Sequence, residues 1–254
     1  MTSNQRRQQI LFLLSQKKEV HFRELKERFQ VSVATIRRDL TKLEGEGQIR
    51  RTHGGAVLET RSQVDFSYML REKDALKQKI RIAEKTIEFI NPGDRIFFND
   101  GTTVMQIAKH LAKLDFAITA ITNGIKVAEI LLNNPKIDII IVGGNIEELS
   151  FACVGPLAEQ MIESLHCTKA IISCDGFHPQ KGVTAELLSA AVTRRMVVNS
   201  EKVILVADSG KKGTVSETLI CKWKDVDIFI TDFIDTKSYN TIAKKSVLIP
   251  LLKL

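Results

Sequence analysis

The chain has 254 residues, 44% of them hydrophobic and 26% charged, which suits a small domain plus a larger one, each able to bury its own core. No stretch approaches the roughly 20 apolar residues a membrane-crossing helix needs, and Lys17 and Lys18 follow the first apolar residues instead of preceding them, unlike a signal peptide, so a cytoplasmic location is expected. The net charge of +7 is concentrated: residues 1 to 58 hold 12 Lys/Arg against 6 Asp/Glu, and the remainder 25 against 24, as expected when one module faces phosphates.

Residues 4 to 58 read as three short helices and a hairpin. Ile10, Leu13 and Leu14 repeat at the spacing of one buried helix face, and Phe22, Leu25 and Phe29 share the face of a second. Gln30 and Val31 make a tight connection to Ser32, an N-cap for a third helix that buries Ile36, Leu40 and Leu43. Rotating that helix by its natural step puts Ala34, Arg38 and Thr41 opposite the buried stripe, flanked by Thr35, Arg37 and Lys42. Small residues, hydroxyls and cations on one face are the chemistry that enters a major groove and bonds bases and phosphates. Asp39 falls at the edge of the core face and is expected to pair with a nearby arginine or a helix end. Past Gly45 and Gly47, two short strands around Gly54-Gly55 form a hairpin that carries Arg50, Arg51 and His53, placed to grip the DNA backbone.

This module resembles the DNA-binding domain of the DeoR family of regulators. The family's signature appears as Arg6, Ile10 and Leu14, then, after seventeen residues, Ser32-Val-Ala-Thr35-Ile36-Arg37-Arg38-Asp39-Leu40. The wing matches at His53-Gly54-Gly55-Ala56. The resemblance implies a winged helix-turn-helix over residues 1–58 that contacts a double-stranded operator through Ser32, Ala34, Thr35, Arg37, Arg38, Thr41, Lys42, Arg50, Arg51 and His53.

Residues 59–75 are polar and charged, with Asp65-Phe66-Ser67-Tyr68 as an aromatic anchor, and read as a linker. In the larger domain, residues 76–254, an amphipathic helix with Ile80, Ala83, Ile87 and Ile90 on one stripe ends at Asn91-Pro92-Gly93-Asp94. Strands are expected at 95–98, 117–122, 137–142, 170–174, 203–207 and 228–231, with helices near 103–113, 124–133, 156–165, 186–199 and 236–244 between many of them. This alternation predicts an α/β domain with a mostly parallel sheet covered by helices on both faces.

Ligands in such sheets bind beyond the C-terminal strand ends. There lie Asp100, Gly101, Thr102 and Thr103, then Thr122 and Asn123, Gly143 and Gly144, Asp175 with Lys181, Thr184 and Glu186, and Lys211. Helix-start N–H groups, hydroxyls, amides, carboxylates and lysines together describe a pocket for a polar, polyhydroxylated and anionic effector. This half is also similar to the DeoR family, whose effector domain resembles ribose-5-phosphate isomerase, which implies a sugar-phosphate isomerase-like fold and a phosphorylated sugar as ligand. Asn99-Asp100 replaces the family's Asp-Ser before Gly-Thr-Thr, and Val183-Thr184-Ala185 follows Lys181-Gly182 where relatives read Leu-Thr-Thr.

Two functions fit. The first is a ligand-controlled repressor of carbohydrate genes that works as a homo-oligomer, dimer or tetramer. The alternative is an isomerase-like enzyme with an accessory DNA-binding module, in which Glu186, Asp175 and Lys211 would serve the enediol chemistry. The Asp-Gly-Ala-Asp-Glu and Lys-Gly-Gly-Gly runs of the isomerases are absent, so no catalytic residues are expected. The cysteines Cys153, Cys167, Cys174 and Cys221 lie among apolar neighbours as buried free thiols. No metal site, cofactor or membrane partner is expected.

Overall fold

The computed structural model describes residues 1–17, 19–59, 68–232 and 245–248, the last as backbone. The chain divides into two compact units, Met1–Lys73 and Asp74–Leu254.

The first unit contains α1 (Ser3–Lys17), β1 (Glu19–His21), α2 (Phe22–Phe29), α3 (Val33–Gly45), β2 (Ile49–Arg51) and β3 (Gly55–Leu58). Ile10 and Leu14 of α1, Leu25 of α2, Ile36 and Leu40 of α3 and Ile49 of β2 are fully buried in one cluster. Each contributes about 1.5–3 kcal/mol by leaving water. Gln30 turns the chain between α2 and α3 in the left-handed region, with φ 52°. Ser32 caps α3 by accepting the N–H of Thr35 at 3.1 Å.

The wing is more than a hairpin. β3 pairs antiparallel with both β2 and β1, giving the order β1-β3-β2, and β1 has no counterpart among the expected strands. Its three residues are too few for periodicity to register. Gly55 lies within β3 and Gly54 in the turn; a Cβ on Gly55 would sit 1.8 Å from the Val20 carbonyl oxygen. Only glycine lets the two backbones approach so closely. Residues 60–67 of the expected linker, including Asp65, Phe66 and Ser67, lie outside the described residues. Tyr68 is buried, and Met69 and Leu70 pack against the cluster just described.

In the second unit, α4 (Leu76–Ile87) precedes β4 (Arg95–Phe98), α5 (Thr102–Leu111), β5 (Ile118–Thr122), α6 (Ile125–Leu131) and β6 (Ile137–Ile141). The hairpin β7 (Asn145–Glu147) and β8 (Ala152–Val154) leads to α7 (Pro156–Glu163) and β9 (Cys167–Ile172). Next come β10 (Gly176–His178), β11 (Gly182–Ala185), α8 (Leu187–Val198), β12 (Ser200–Val206), β13 (Thr218–Cys221), β14 (Ile228–Thr231) and β15 (Lys245–Leu248).

Seven strands form one sheet in the order β15-β14-β12-β9-β4-β5-β6, every neighbouring pair parallel. From the central β4 the chain winds outward to β6, then returns to β9 and winds the other way. Right-handed crossovers in opposite directions put α5 and α6 on one face and α7 and α8 on the other. The buried core includes Phe97, Ile121, Ile172, Met196, Leu205 and Phe229. Phe177, Trp223 and Phe229 meet edge-on, with centroids 5.2–6.2 Å apart.

Two expectations need correction. The buried stripe of α4 is Lys79, Ile82, Ala83 and Thr86, with Ile80 and Ile87 only half-buried. The helix ends at Ile87, so Ile90, though buried, belongs to the following turn; a Lys and a Thr on the inner face hide the true period from an apolar count. The segment 176–185, where no strand was expected, forms β10 and β11, which join β13 in a separate antiparallel sheet. The helix expected at 236–244 lies outside the described residues.

Candidate nucleic-acid interface and ligand crevice

On α3 the core contacts of Ile36, Leu40 and Leu43 fix which face turns outward. Ala34, Arg37, Arg38, Thr41 and Lys42 are exposed there, while Ser32 and Thr35 spend their hydroxyls on each other at 2.9 Å as part of the cap. Asp39 is buried, accepting Nε of Arg6 at 2.5 Å and lying 3.5 Å from Nη1 of Arg7, as its place at the core edge predicts.

The wing and α3 are joined by Arg51. Its Nη1 donates to Thr41 Oγ1 at 3.2 Å, and its backbone N–H donates to Glu44 Oε1 at 3.2 Å. Arg37, Arg50, Arg51, Thr52 and His53 line a groove of about 670 Å³ together with Phe22. The Arg37 guanidinium lies 5.8 Å from the Phe22 ring centroid, a cation–π contact that holds it over an apolar floor. Phe22 is the residue that sequence reasoning assigned to the core alone. Its place as the first residue of α2, one turn before Leu25, was the available signal.

In the larger unit, every parallel strand ends at the same edge, and the winding reverses between β4 and β9. This is the position where open α/β sheets form a crevice. Asn99 spans it: Nδ2 donates to the Ser173 carbonyl at 3.0 Å and to Thr193 Oγ1 at 3.4 Å, and Oδ1 accepts the Ser173 N–H at 3.0 Å and its hydroxyl at 3.3 Å. A Cβ on Gly101 would lie 1.7 Å from Ser173 Oγ, so any larger residue at the N-cap of α5 would force Ser173 to move. Lys211 reaches the same place, its Nζ donating to the Cys174 carbonyl. Asp100 lies beside the next strand end, 3.5 Å from Asn123 Nδ2.

The fold thus places Asp100, Gly101, Thr102, Thr103, Asn123, Asp175 and Lys211 just past the C-terminal ends of β4, β5, β9 and β12, beside the reversal point. Asp175 Oδ2 accepts the N–H of Glu186 at 3.1 Å, which brings the start of α8 to its rim. Other expected residues serve elsewhere. Thr122 Oγ1 accepts the Gly124 N–H at 3.0 Å. Thr184 is buried, its hydroxyl donating to the Gly176 carbonyl and accepting the Ser216 N–H at 2.9 Å. Lys181 is exposed in the turn between β10 and β11, the end of that hairpin away from Asp175. Gly143 and Gly144 follow β6, two strands from the reversal point, where a Cβ on Gly144 would meet the Val154 carbonyl at 2.7 Å.

Three buried polar atoms on elements bordering the crevice lack hydrogen-bond partners: Thr103 Oγ1 and Gln106 Nε2 on α5, and Asn123 Oδ1 after β5. Unsatisfied groups of this kind cost about 1–3 kcal/mol each and mark where water or ligand belongs. Asn99 and Ser173 are positions at this junction that sequence reasoning did not select. Ser173 was counted inside a strand running to Cys174, whereas β9 ends at Ile172 and frees Ser173 for the crevice wall.

All four cysteines are free and buried. Burial pushes the thiols of Cys167, Cys174 and Cys221 up to about 12, and raises that of Cys153 as well. Among the described residues no group of three or more His, Cys, Asp or Glu side chains is arranged to hold a metal ion. No helix among them is long and apolar enough to cross a membrane.

A basic winged helix-turn-helix unit followed by a parallel-sheet unit with a crevice at its reversal point defines a DNA-binding transcription regulator. Residues 6–62 match the model of the DeoR-like helix-turn-helix domain, and residues 74–233 that of the DeoR C terminal sensor domain. The HTH-type transcriptional regulator YulB of Bacillus subtilis is 35% identical over 245 residues, 96% of this chain and 94% of that protein. The transcriptional repressor AccR of Agrobacterium fabrum is 34% identical over 246 residues, 96% of this chain and 95% of its own. The chain belongs to the DeoR family of transcriptional regulators. Ribose 5 phosphate isomerase A from Neisseria gonorrhoeae aligns with 54% of this chain and 53% of its own, at 18% identity and a TM-score of 0.39. Family membership makes the chain a regulator and not an isomerase with an accessory module.

Proposed function

We propose that this regulator represses carbohydrate genes from the cytoplasm, holding a double-stranded operator as a homo-oligomer until a sugar-derived metabolite, expected to be phosphorylated, occupies the crevice. The observation that carries this reading is the crevice between β4 and β9. The N-terminus of α5 with its positive dipole end, Thr102 and Thr103 in its first turn, and the Lys211 ammonium favour an anionic group. Asp100, Asp175 and the amide of Asn123 suit sugar hydroxyls. On the DNA side, Arg38 and Lys42 project from α3, and Arg37, Arg50, Arg51 and His53 frame a groove beside it that fits a backbone phosphate.

The test is a thermal-shift screen of matched sugars and sugar phosphates, followed by release of duplex DNA in the presence of each stabilising compound. A ligand that raises Tm and weakens operator binding is the expected result. If no sugar or sugar phosphate stabilises the protein, the effector belongs to another chemical class.

A further inference from the structure

A turn of three residues joins the recognition helix α3 to the wing strand β2. Gly47 takes φ 68° in it, and Gln48 donates its N–H to the Leu43 carbonyl at 2.9 Å, which fixes the near end of β2 to the helix. The far end is held by a separate tie. Gln48 accepts the Glu59 N–H at 3.2 Å, and Thr52 donates to the Gly55 carbonyl at 3.0 Å, so these residues spend their backbone groups on the β3 side. In an antiparallel ladder the alternate residues turn theirs to the opposite side. The N–H of Arg51 accordingly points away from β3, where Glu44 Oε1 accepts it at 3.2 Å. Thr41 and Glu44 stand three apart on α3 and share one face. Both act on Arg51: Thr41 Oγ1 accepts from its Nη1 at 3.2 Å, and Glu44 Oε2 lies 3.9 Å from the same nitrogen.

We propose that Glu44 is a positioning residue for DNA binding, which with Thr41 latches Arg51 and so sets the spacing between the wing and the recognition helix. The inference rests on the DNA-binding reading above and adds to it a residue of the wrong charge. An exposed carboxylate on a surface that meets phosphates opposes binding by repulsion, and on charge alone its removal strengthens the complex. The latch reverses that sign. Arg50 and His53 line one groove with Arg37 of α3, and both ride on the hairpin that Arg51 anchors. Held at a fixed distance from the helix, these cations meet the duplex without first being ordered, and a loop organised before binding gains affinity by that saving.

The experiment compares wild type, Glu44→Ala, Glu44→Gln and Glu46→Ala by fluorescence anisotropy over a salt series, on a duplex that the wild type selects from a random-sequence pool. Glu46 is an exposed acid two residues on that takes no part in the latch, so its variant reports the loss of charge alone. Glu44→Ala is expected to bind about two- to tenfold more weakly, the effect of one lost hydrogen bond, and with a smaller salt slope as Arg50 and His53 loosen. Glu44→Gln keeps an acceptor without the charge and should match or exceed wild type, as should Glu46→Ala. Urea midpoints should stay near wild type throughout. Folded Glu44→Ala that binds as well as wild type or better overturns the proposal, as does Glu44→Gln as weak as Glu44→Ala. Amide exchange at Arg51 in the DNA-free protein should quicken in Glu44→Ala, and unchanged exchange also overturns the latch. If Glu44→Ala loses its fold, Glu44→Met, which keeps a long helical side chain without an acceptor, takes its place under the same outcomes. A wild type that selects no duplex counts against the proposed function as well, whereas failure of the Glu44 variants alone leaves that reading intact.

Discussion

Arg6 and Asp39, 33 residues apart, meet inside the first unit, with the arginine Nε donating to the carboxylate at 2.5 Å and both side chains under a tenth exposed. The pair ties α1 to the core side of the recognition helix and orients α3 from behind. It gives a physical reason for two separated positions of the family signature. Removing one partner of a buried pair leaves an uncompensated charge and costs about 3–5 kcal/mol. Arg6→Ala is therefore expected to lower the urea midpoint of the first unit strongly. Asp39→Ala should do the same, with Arg7 losing its partner too. A midpoint shift below a few tenths of a molar in both variants would show that the pair does not hold the helices together.

On the opposite face of α3, Arg38→Ala is expected to lower operator affinity by about 1–3 kcal/mol and to relax base preference, as for a side chain that bonds base edges. Lys42→Ala is expected to weaken all duplexes alike and to reduce the salt slope by about 1. Fluorescence anisotropy with operator and scrambled DNA over a salt series measures both. Operator binding by Arg38→Ala equal to wild type would remove it from the reading face.

At the crevice, Lys211→Ala is expected to reduce affinity for a phosphorylated effector tenfold or more, because a charge-assisted bond is worth about 1.5–3 kcal/mol. DNA binding without ligand should stay near normal, and Lys212→Ala, on an exposed neighbour, serves as control. Asp100→Asn should improve phosphate binding by removing a repelling charge, while weakening an unphosphorylated sugar. Calorimetry on a matched pair of ligands reads the sign. Phosphate affinity unaffected by Lys211→Ala would place the anion elsewhere in the unit.

The cysteines give a pH dependence. Their folded pKa values are raised from 9.0 to about 12 at Cys167, Cys174 and Cys221 by burial. For an acid raised on folding, the unfolded chain binds fewer protons between the two values, so stability is intact below pH 9 and falls as pH rises toward 12. Replacing Cys221 by Ser or Ala should flatten the part of this decline that it causes, measured by urea unfolding at pH 8 and pH 10. Native alkylation of the four thiols should also be slow at pH 8 and become rapid on unfolding. Quick labelling of folded protein at that pH would contradict their burial.

Much of the fold was legible because it rests on long periodic signals. The apolar runs at 95–98 and 228–231 became β4 and β14 with the same bounds, and the outward face of α3 follows from Ile36, Leu40 and Leu43. Short strands escaped: β1, β7 and β10 have three residues each, too few for an alternating pattern to register, and β1 also pairs with a partner more than thirty residues away. The crevice was legible as a set of strand ends. Which hydroxyls remain available was not: Thr122 is used by the N–H of Gly124 two residues on, and Thr184 by the Gly176 carbonyl and the Ser216 N–H, which the folded chain brings near. The same limit hid Ser173, whose importance lies in what it touches across 74 residues.

Asn99 rivets β4 to β9 through donors and acceptors on both sides of the reversal point. The two halves of the sheet are consequently a single plank and do not separate like jaws. The segments that stand over this junction are the turn at 209–213, the β10–β11 hairpin and the first turn of α8. An effector bound at these strand ends is expected to act on the overhanging segments and not by parting β4 from β9, which hydrogen–deuterium exchange with and without ligand would read.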